Sequence, residues 1–401
     1  MKRLLKVILV GLMSFSLVAC SGKSEEAAQG ITDTTVKIAN CAATSGAYAP
    51  VGVPFNAGIE AYVKYINDQG GVNGRKIEFI HQDDEFDAAK GKACLQSMIE
   101  DKKVFAIVGH FGTPVVAATI EDLKESGIPA VYFATGIGQL YSADAKTDGK
   151  ENIFPVQPIY TTEGKIMVTR AVGTFNAKKV GIIYTNDDAG KDMLKGAQEQ
   201  AKTLKVELIE AQVPAGATDV SSAVALIKEA NVDFIIGAAI QATIPTIVKA
   251  LAEQNVNKDV ITTYVNVAPV VAKQVYDSIN GKFDVYGNGW VSFAAEQADA
   301  LKLYAANISS EYASNAYAIT GWIAGYFFVE GLKAMGEETP TWANYIAAME
   351  KAPIQNPFGG LIDFTNGKRE GTTVMNLSKV KNADGWEAVQ PLQSIDDILG
   401  N

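Results

Sequence analysis

From residue 36 to about residue 265, strand-like stretches alternate with longer helix-like ones, and this alternation restricts the fold more than any other feature of the chain. Residues 36–41 (VKIANC) read as a short apolar strand, 76–82 (KIEFIHQ) as a strand, 104–108 (VFAIV) as a buried strand and 128–134 as another. Helical stretches at 55–68, 88–100 and 114–125 separate them. The first is amphipathic and stops at Gln69-Gly70-Gly71; the last is expected to open with Thr113 as N-cap and Pro114 at the first helical position. The pattern restarts with a strand at 152–156 and a helix at 162–174. Strands at 179–184, 206–211, 232–237 and 260–264 follow, with helices at 190–203, 220–229 and 243–253. Strands alternating with helices imply right-handed parallel crossovers and covered sheets. The fold class predicted is α/β, with two doubly wound parallel-sheet lobes of about four strands each.

The remaining segments do not form a third run. Residues 283–293 are strand-like and aromatic, 295–305, 316–335 and 342–351 helical, and 361–364, 373–380 and 386–391 strands, with a turn at 381–385. They add pieces to both lobes. The expected division is 34–156 plus about 294–352 for lobe 1, about 157–293 plus 353–392 for lobe 2, and a tail at 393–401. Several crossings between lobes make a hinge with a cleft, and ligands of doubly wound domains sit at the carboxyl ends of the strands.

Lys2, Arg3 and Lys6 precede an almost wholly apolar run at 4–18, which closes in Leu17-Val18-Ala19-Cys20. This is a secretory signal with a small-residue cleavage site. It resembles the lipobox of bacterial lipoproteins, whose cysteine becomes the lipid-bearing first residue. The expectation is a signal peptide at 1–19, lipid on Cys20 and a polar tether over 20–33. An unlipidated signal peptide or an uncleaved anchor is the alternative, although a spanning helix needs roughly 20 apolar residues. The expected location is the outer face of the cell membrane, at a Gram-positive-type surface or in a periplasm.

Net charge is −10, of which the signal contributes +3, so the mature body stands near −13. Such a body repels phosphate backbones, which argues against nucleic acid as a partner. A monomer is expected. With Cys20 assigned to lipid, Cys41 and Cys94 remain. They are expected as two buried free thiols, because free cysteine behaves as a small core hydrophobe; an exported Cys41–Cys94 bridge is the alternative. His81 and His110 are far apart and lack clustered cysteines, so no metal spacing is present.

The pieces Thr44-Ser45-Gly46-Ala47, Gly58-Ile59-Glu60-Ala61 and Ile66 to Gly74 (INDQGGVNG) come in one order with Asp83-Asp84, Ile107-Val108-Gly109-His110, and Ile128-Pro129 into Ala134-Thr135-Gly136. In that order and spacing the chain resembles a type I periplasmic binding protein of the branched-chain amino acid (Leu/Ile/Val-binding) group, over about residues 34–392. The resemblance implies a substrate-binding subunit of an ABC importer, with a small carboxylate ligand, a membrane permease as partner, and no cofactor. Residues 109–113 join the third strand to its helix, so backbone N–H groups around Phe111 and Gly112 point at the ligand where the helix dipole favours an anion. The Thr113 hydroxyl can add a bond to a carboxylate, or only cap its helix. Ala134, Thr135 and Gly136 occupy the family's second ligand loop, with the family's threonine falling at Gly136.

Departures from the pattern bear on the cargo. Members that bind amino acids grip the ammonium with an acidic residue of the second lobe, but the corresponding Thr262-Thr263-Tyr264-Val265-Asn266 holds no carboxylate. Burying an unpaired ammonium is expensive. Val51 and Ala189 fall where tyrosines are common, Gln241 lies near a third such place, and Tyr317 keeps an aromatic at a fourth. A smaller wall leaves room for a larger ligand. Two readings stay open: a branched-chain amino acid, or an apolar or aromatic acid lacking the α-ammonium. Thr113 would hold the carboxylate, and Asn266, Gln241, Tyr48 and Tyr317 are candidates for the other end.

Other classes fit less well. Gly136-Ile137-Gly138 is no dinucleotide loop, because Tyr141 stands where the last glycine belongs. No G-x-S-x-G elbow is present, and neither histidine has a serine or cysteine partner, so no catalysis is expected. Asp83-Asp84 and Asp187-Asp188 read as loop or capping carboxylates. A sensor docking on a receptor would use the same closure as an importer.

Overall fold

A computed structural model describes residues 26–241 and 243–400; the signal and Cys20 lie outside them. Five strands, β1 (Thr35–Ala42), β2 (Lys76–Asp83), β3 (Ala106–Phe111), β4 (Ala130–Ala134) and β5 (Ile153–Phe154), form one parallel sheet in the order β2-β1-β3-β4-β5. β5 pairs with β4, so the strand read at 152–156 completes the first sheet, on the lobe 1 side of the expected division. Helices Ala88–Glu100 and Thr113–Ser126 pack together beside it. Helix Ala49–Asp68 starts six residues before its expected position, with Pro50 in its first turn, and packs against helix Ala316–Met335 from the far end of the chain. Two glycines let that pair cross closely: a Cβ on Gly58 would stand 1.9 Å from the Ala318 carbonyl, and one on Gly321 1.8 Å from that of Phe55.

The second sheet has seven strands. β6 (Lys179–Thr185), β7 (Glu207–Val213), β8 (Phe234–Ala238), β9 (Val260–Thr262) and β10 (Val285–Gly289) run parallel. β11 (Ile354–Gln355) and β12 (Leu361–Ile362) form a separate small ribbon. β13 (Met375–Asn382) and β14 (Gly385–Gln393) add an antiparallel edge, giving the order β14-β13-β10-β9-β8-β6-β7. The lobe is therefore not wholly parallel, because a strand arriving by hairpin pairs antiparallel. Helix Pro269–Ile279, unexpected from the sequence, packs on β13 and β14. Residues expected as a plain tail form helix Ile395–Leu399, opened by a Ser394–Asp397 capping box and packed on helix Tyr160–Gly173.

The chain passes between the sheets three times, after β5, after β10 and after helix Trp342–Met349. Among the described residues no helix is long and apolar enough to cross a membrane. The tether expected over 20–33 is bonded to the body from Ala28 on: its N–H donates to the Pro340 carbonyl, and the Gln29 side chain donates to the Ile99 and Val104 carbonyls.

Cys41 and Cys94 are bonded as a disulfide, which corrects the expectation of two free thiols. β1 and helix Ala88–Glu100 pack face to face, with Cα atoms 6.1 Å apart at the two cysteines, inside the range a bridge spans. Thr113 is the first helical residue and makes no capping bond; Gly112, with φ 91°, holds the N-cap position.

Candidate functional site

The carboxyl ends of both sheets face one cavity of about 710 Å³, lined from lobe 1, lobe 2 and the crossing segments. Tyr48, Phe111, Gly112, Thr113, Ala134, Gln241 and Tyr317 of the sequence-derived set line it. Thr135 lies just behind, its hydroxyl 2.9 Å from that of Thr113, and the Tyr160 hydroxyl bonds to both. The Thr113 hydroxyl is thus held by neighbouring side chains while its helix start opens on the cavity. Burial pushes the Tyr160 hydroxyl up to about 12, so it stays a neutral donor.

Besides Thr135, three expected residues are not in the wall. Asn266 is fully buried and donates to the Ala239 carbonyl and the Thr262 hydroxyl, fixing the turn after β9. Ala189 is buried in the first turn of helix Asp188–Leu204. Gly136 packs against the Pro158 carbonyl and the Tyr160 and Tyr264 rings, where a Cβ would come within 2.3 Å of the carbonyl oxygen. Its role is to let the chain turn closely past the hinge.

Sequence reasoning missed most of the aromatic wall. Phe55, Phe86, Tyr160, Tyr264 and Trp290 line the cavity, with Phe293 and Val389 exposed at its mouth. Gln157 bonds the hydroxyls of Tyr132 (2.6 Å) and Tyr264 (3.1 Å). These residues come from distant segments, and nothing local marks them as neighbours. Asp384, at the rim, is the one charged residue among those lining the cavity. Among the described residues the interior offers hydroxyls, amides and a helix N-terminus, and no carboxylate to receive an ammonium.

Behind the Tyr264 loop lies a buried acid. Glu163 accepts from the Thr263 hydroxyl, the Tyr264 N–H and the Asn288 amide. Burial pushes its carboxyl up to about 8 against the pull of those donors. Asn288 in turn accepts from Arg170 Nε, whose Nη1 donates to Gln390 at 2.6 Å and Nη2 to the Met375 carbonyl at 2.7 Å. Glu163 therefore serves the loop and does not face the cavity.

The lobes are bonded to each other at two separate places, one of them at the cavity wall. The Gly138 N–H donates to Asp192 Oδ2 at 2.6 Å, and the Tyr317 hydroxyl donates to the Val265 carbonyl at 3.2 Å.

The periplasmic binding protein family matches residues 35–385. The Leu/Ile/Val-binding protein homolog 1 of Brucella abortus is 22% identical over 350 residues, covering 85% of this chain and 89% of that protein. Among solved structures, a fatty acid ABC transporter substrate-binding protein from Thermomonospora curvata superposes with TM-score 0.78 at 19% identity, over 94% of this chain and 96% of that one. A branched chain amino acid ABC transporter protein from Thermus thermophilus with bound valine gives TM-score 0.78 at 15% identity, over 92% and 100%.

Proposed function

The chain belongs to the periplasmic binding protein family, as a substrate-binding protein of the ABC-transporter type, and from that premise we propose that it captures an apolar monocarboxylate by lobe closure and delivers it to a membrane permease. The observation that carries the reading is the cavity itself. Both lobes wall it, a helix N-terminus opens into it, and among the described residues no acidic side chain lines it apart from Asp384 at the rim. The ligand's carboxylate would meet the N–H groups and hydroxyl at Thr113, where the dipole favours negative charge. Its body would lie among Phe55, Phe111, Tyr317 and Trp290.

Volume bears on the cargo. At ~30 Å³ per water-sized group, about 710 Å³ holds more than 20 such groups, and a branched-chain amino acid fills less than half of it. The description of the Thermomonospora curvata protein as a fatty acid binder accords with a larger apolar acid. Closure follows from differential affinity: a ligand touching both lobes stabilises the bonded state, and release at the permease reverses it. A lipid on Cys20 would hold the protein at the membrane while it works, and no group beyond the ligand is needed.

Calorimetry with leucine, isoleucine, valine and a panel of aliphatic and aromatic acids tests the reading. An acid should bind more tightly than leucine; tight leucine binding would sink the assignment of a ligand without an ammonium. Thr113→Ala should weaken the bound acid by about 10- to 100-fold, the loss of one charge-assisted hydrogen bond. Unchanged affinity would remove Thr113 as the anchor.

A further inference from the structure

Between β2 and helix Ala88–Glu100 the chain makes an unusual turn. Glu85 and Phe86 both take left-handed backbone, with φ 53° and 62°. Non-glycine residues rarely adopt that region, and two in succession persist only where the surroundings impose them. Here Asp83 Oδ1 accepts from the Glu85 N–H at 3.0 Å, and Asp84 Oδ1 accepts from the Phe86 N–H at 2.9 Å. Asp84 is fully buried, so the second of these ties is fixed to the core.

The strained turn places one ring. Phe86 stacks on Tyr48, with centroids 3.7 Å apart and planes 14° from parallel, and meets Phe111 edge-on at 6.2 Å. It also lies directly on the start of helix Thr113–Ser126: a Cβ on Gly112 would stand 2.6 Å from a Phe86 ring carbon. Phe86, Tyr48, Phe111, Gly112 and Thr113 all line the cavity. Connectivity between β2 and the helix requires no aromatic side chain at this position, and glycine or asparagine would sit there without strain. What the strain obtains is a hydrocarbon roof over the helix N-terminus.

We propose that Phe86 is a specificity-determining residue of the cavity, selecting acids without an α-ammonium. This rests on the placement of the ligand carboxylate at Thr113. A carboxylate reaches the Thr113 N–H and hydroxyl beneath the ring, the Gly112 N–H being bonded to the Ala134 carbonyl. An ammonium on the adjacent carbon meets backbone N–H dipoles of like sign and a ring with one face already covered by Tyr48, and among the described lining residues no carboxylate at that end receives it. Its hydration is lost and not replaced. The stacked Tyr48 holds Phe86 in place over the helix start.

The test uses leucine and isocaproate, which differ only by the ammonium. By calorimetry the parent protein should bind isocaproate at least ~10-fold more tightly. Phe86→Ala should bring the two within about 3-fold of each other, chiefly by weakening isocaproate, and Phe86→Tyr should keep the parent's ratio. Phe86→Gly should melt about 2–4 °C above Phe86→Ala, because glycine accepts the left-handed backbone that alanine does not. Equal losses for both ligands in Phe86→Ala would make Phe86 mere packing and overturn the proposal, as would a parent that prefers leucine. Equal melting of the Gly and Ala variants would remove the strain on which it stands. Failure of every acid to bind the parent would instead overturn the carboxylate reading itself, and this inference with it.

Discussion

The Cys41–Cys94 bridge makes a strong prediction about stability, because its contribution follows from chain topology. The two cysteines are 53 residues apart and both fully buried. Closing a loop of that length removes about 14 cal/mol/K of chain entropy from the unfolded state, or ~4 kcal/mol at 25 °C. The loop so closed contains β2 and the strained 83–87 turn, and the bridge joins the end of β1 to the helix that follows that turn. Thr44, three residues after Cys41, donates its N–H to Asp83 of the same turn at 2.9 Å. Cys41→Ala/Cys94→Ala should therefore lose about 3–4 kcal/mol in urea unfolding, with the m-value rising as the unfolded chain expands. Peptide mapping without reductant should return Cys41 and Cys94 in one linked fragment. Because both sulfurs are buried, reductant should act on the folded protein slowly and on the unfolded protein at once. A double variant within about 1 kcal/mol of the parent would refute the entropic argument, and separate fragments would refute the bridge.

Other expectations concern the acids around the cavity. Glu163 has its folded-state pKa raised to about 8 from 4.5, so its contribution to stability is fully present below the unfolded value and is lost as pH climbs through the folded one. Glu163→Gln should flatten that part of the fall in melting temperature between pH 4.5 and 8; an unchanged slope would mean that other groups cause it. Asp192 is the second lobe's half of the Gly138 contact. Asp192→Ala should speed ligand dissociation about 10-fold, with association little changed, since the bond forms only after the lobes meet; equal off-rates in stopped flow would exclude it as a clasp.

The parts of this molecule legible in the sequence are those encoded locally. The order of strands and helices up to residue 265 is visible because each element carries its own pattern, and that order already places the ligand at the strands' carboxyl ends. Helix Pro269–Ile279 was missed although its signals are local: Pro269 opens it, Asn280-Gly281 closes it, and Val271, Ala272, Val275 and Ile279 repeat at helical spacing. The walls of the cavity are a different kind of fact. Phe55 and Phe86 precede the first crossing, and Trp290 and Tyr317 join them only because the chain passes to the second lobe and back. Thr113 could be named from its position at the start of a helix, whereas the residue that roofs it lies before another helix, in a run of Asp83-Asp84-Glu85-Phe86-Asp87 that reads as a polar loop. Glu163 and Arg170 sit on a helix whose faces are both covered, so a helical pattern assigns them to solvent although each is fully buried. The same holds for Cys41 and Cys94, each a plausible small hydrophobe in its own element and a bridge only once β1 and its helix are packed. A family's motif therefore leads to the cavity, while most of the side chains that wall it arrive from segments the motif does not contain.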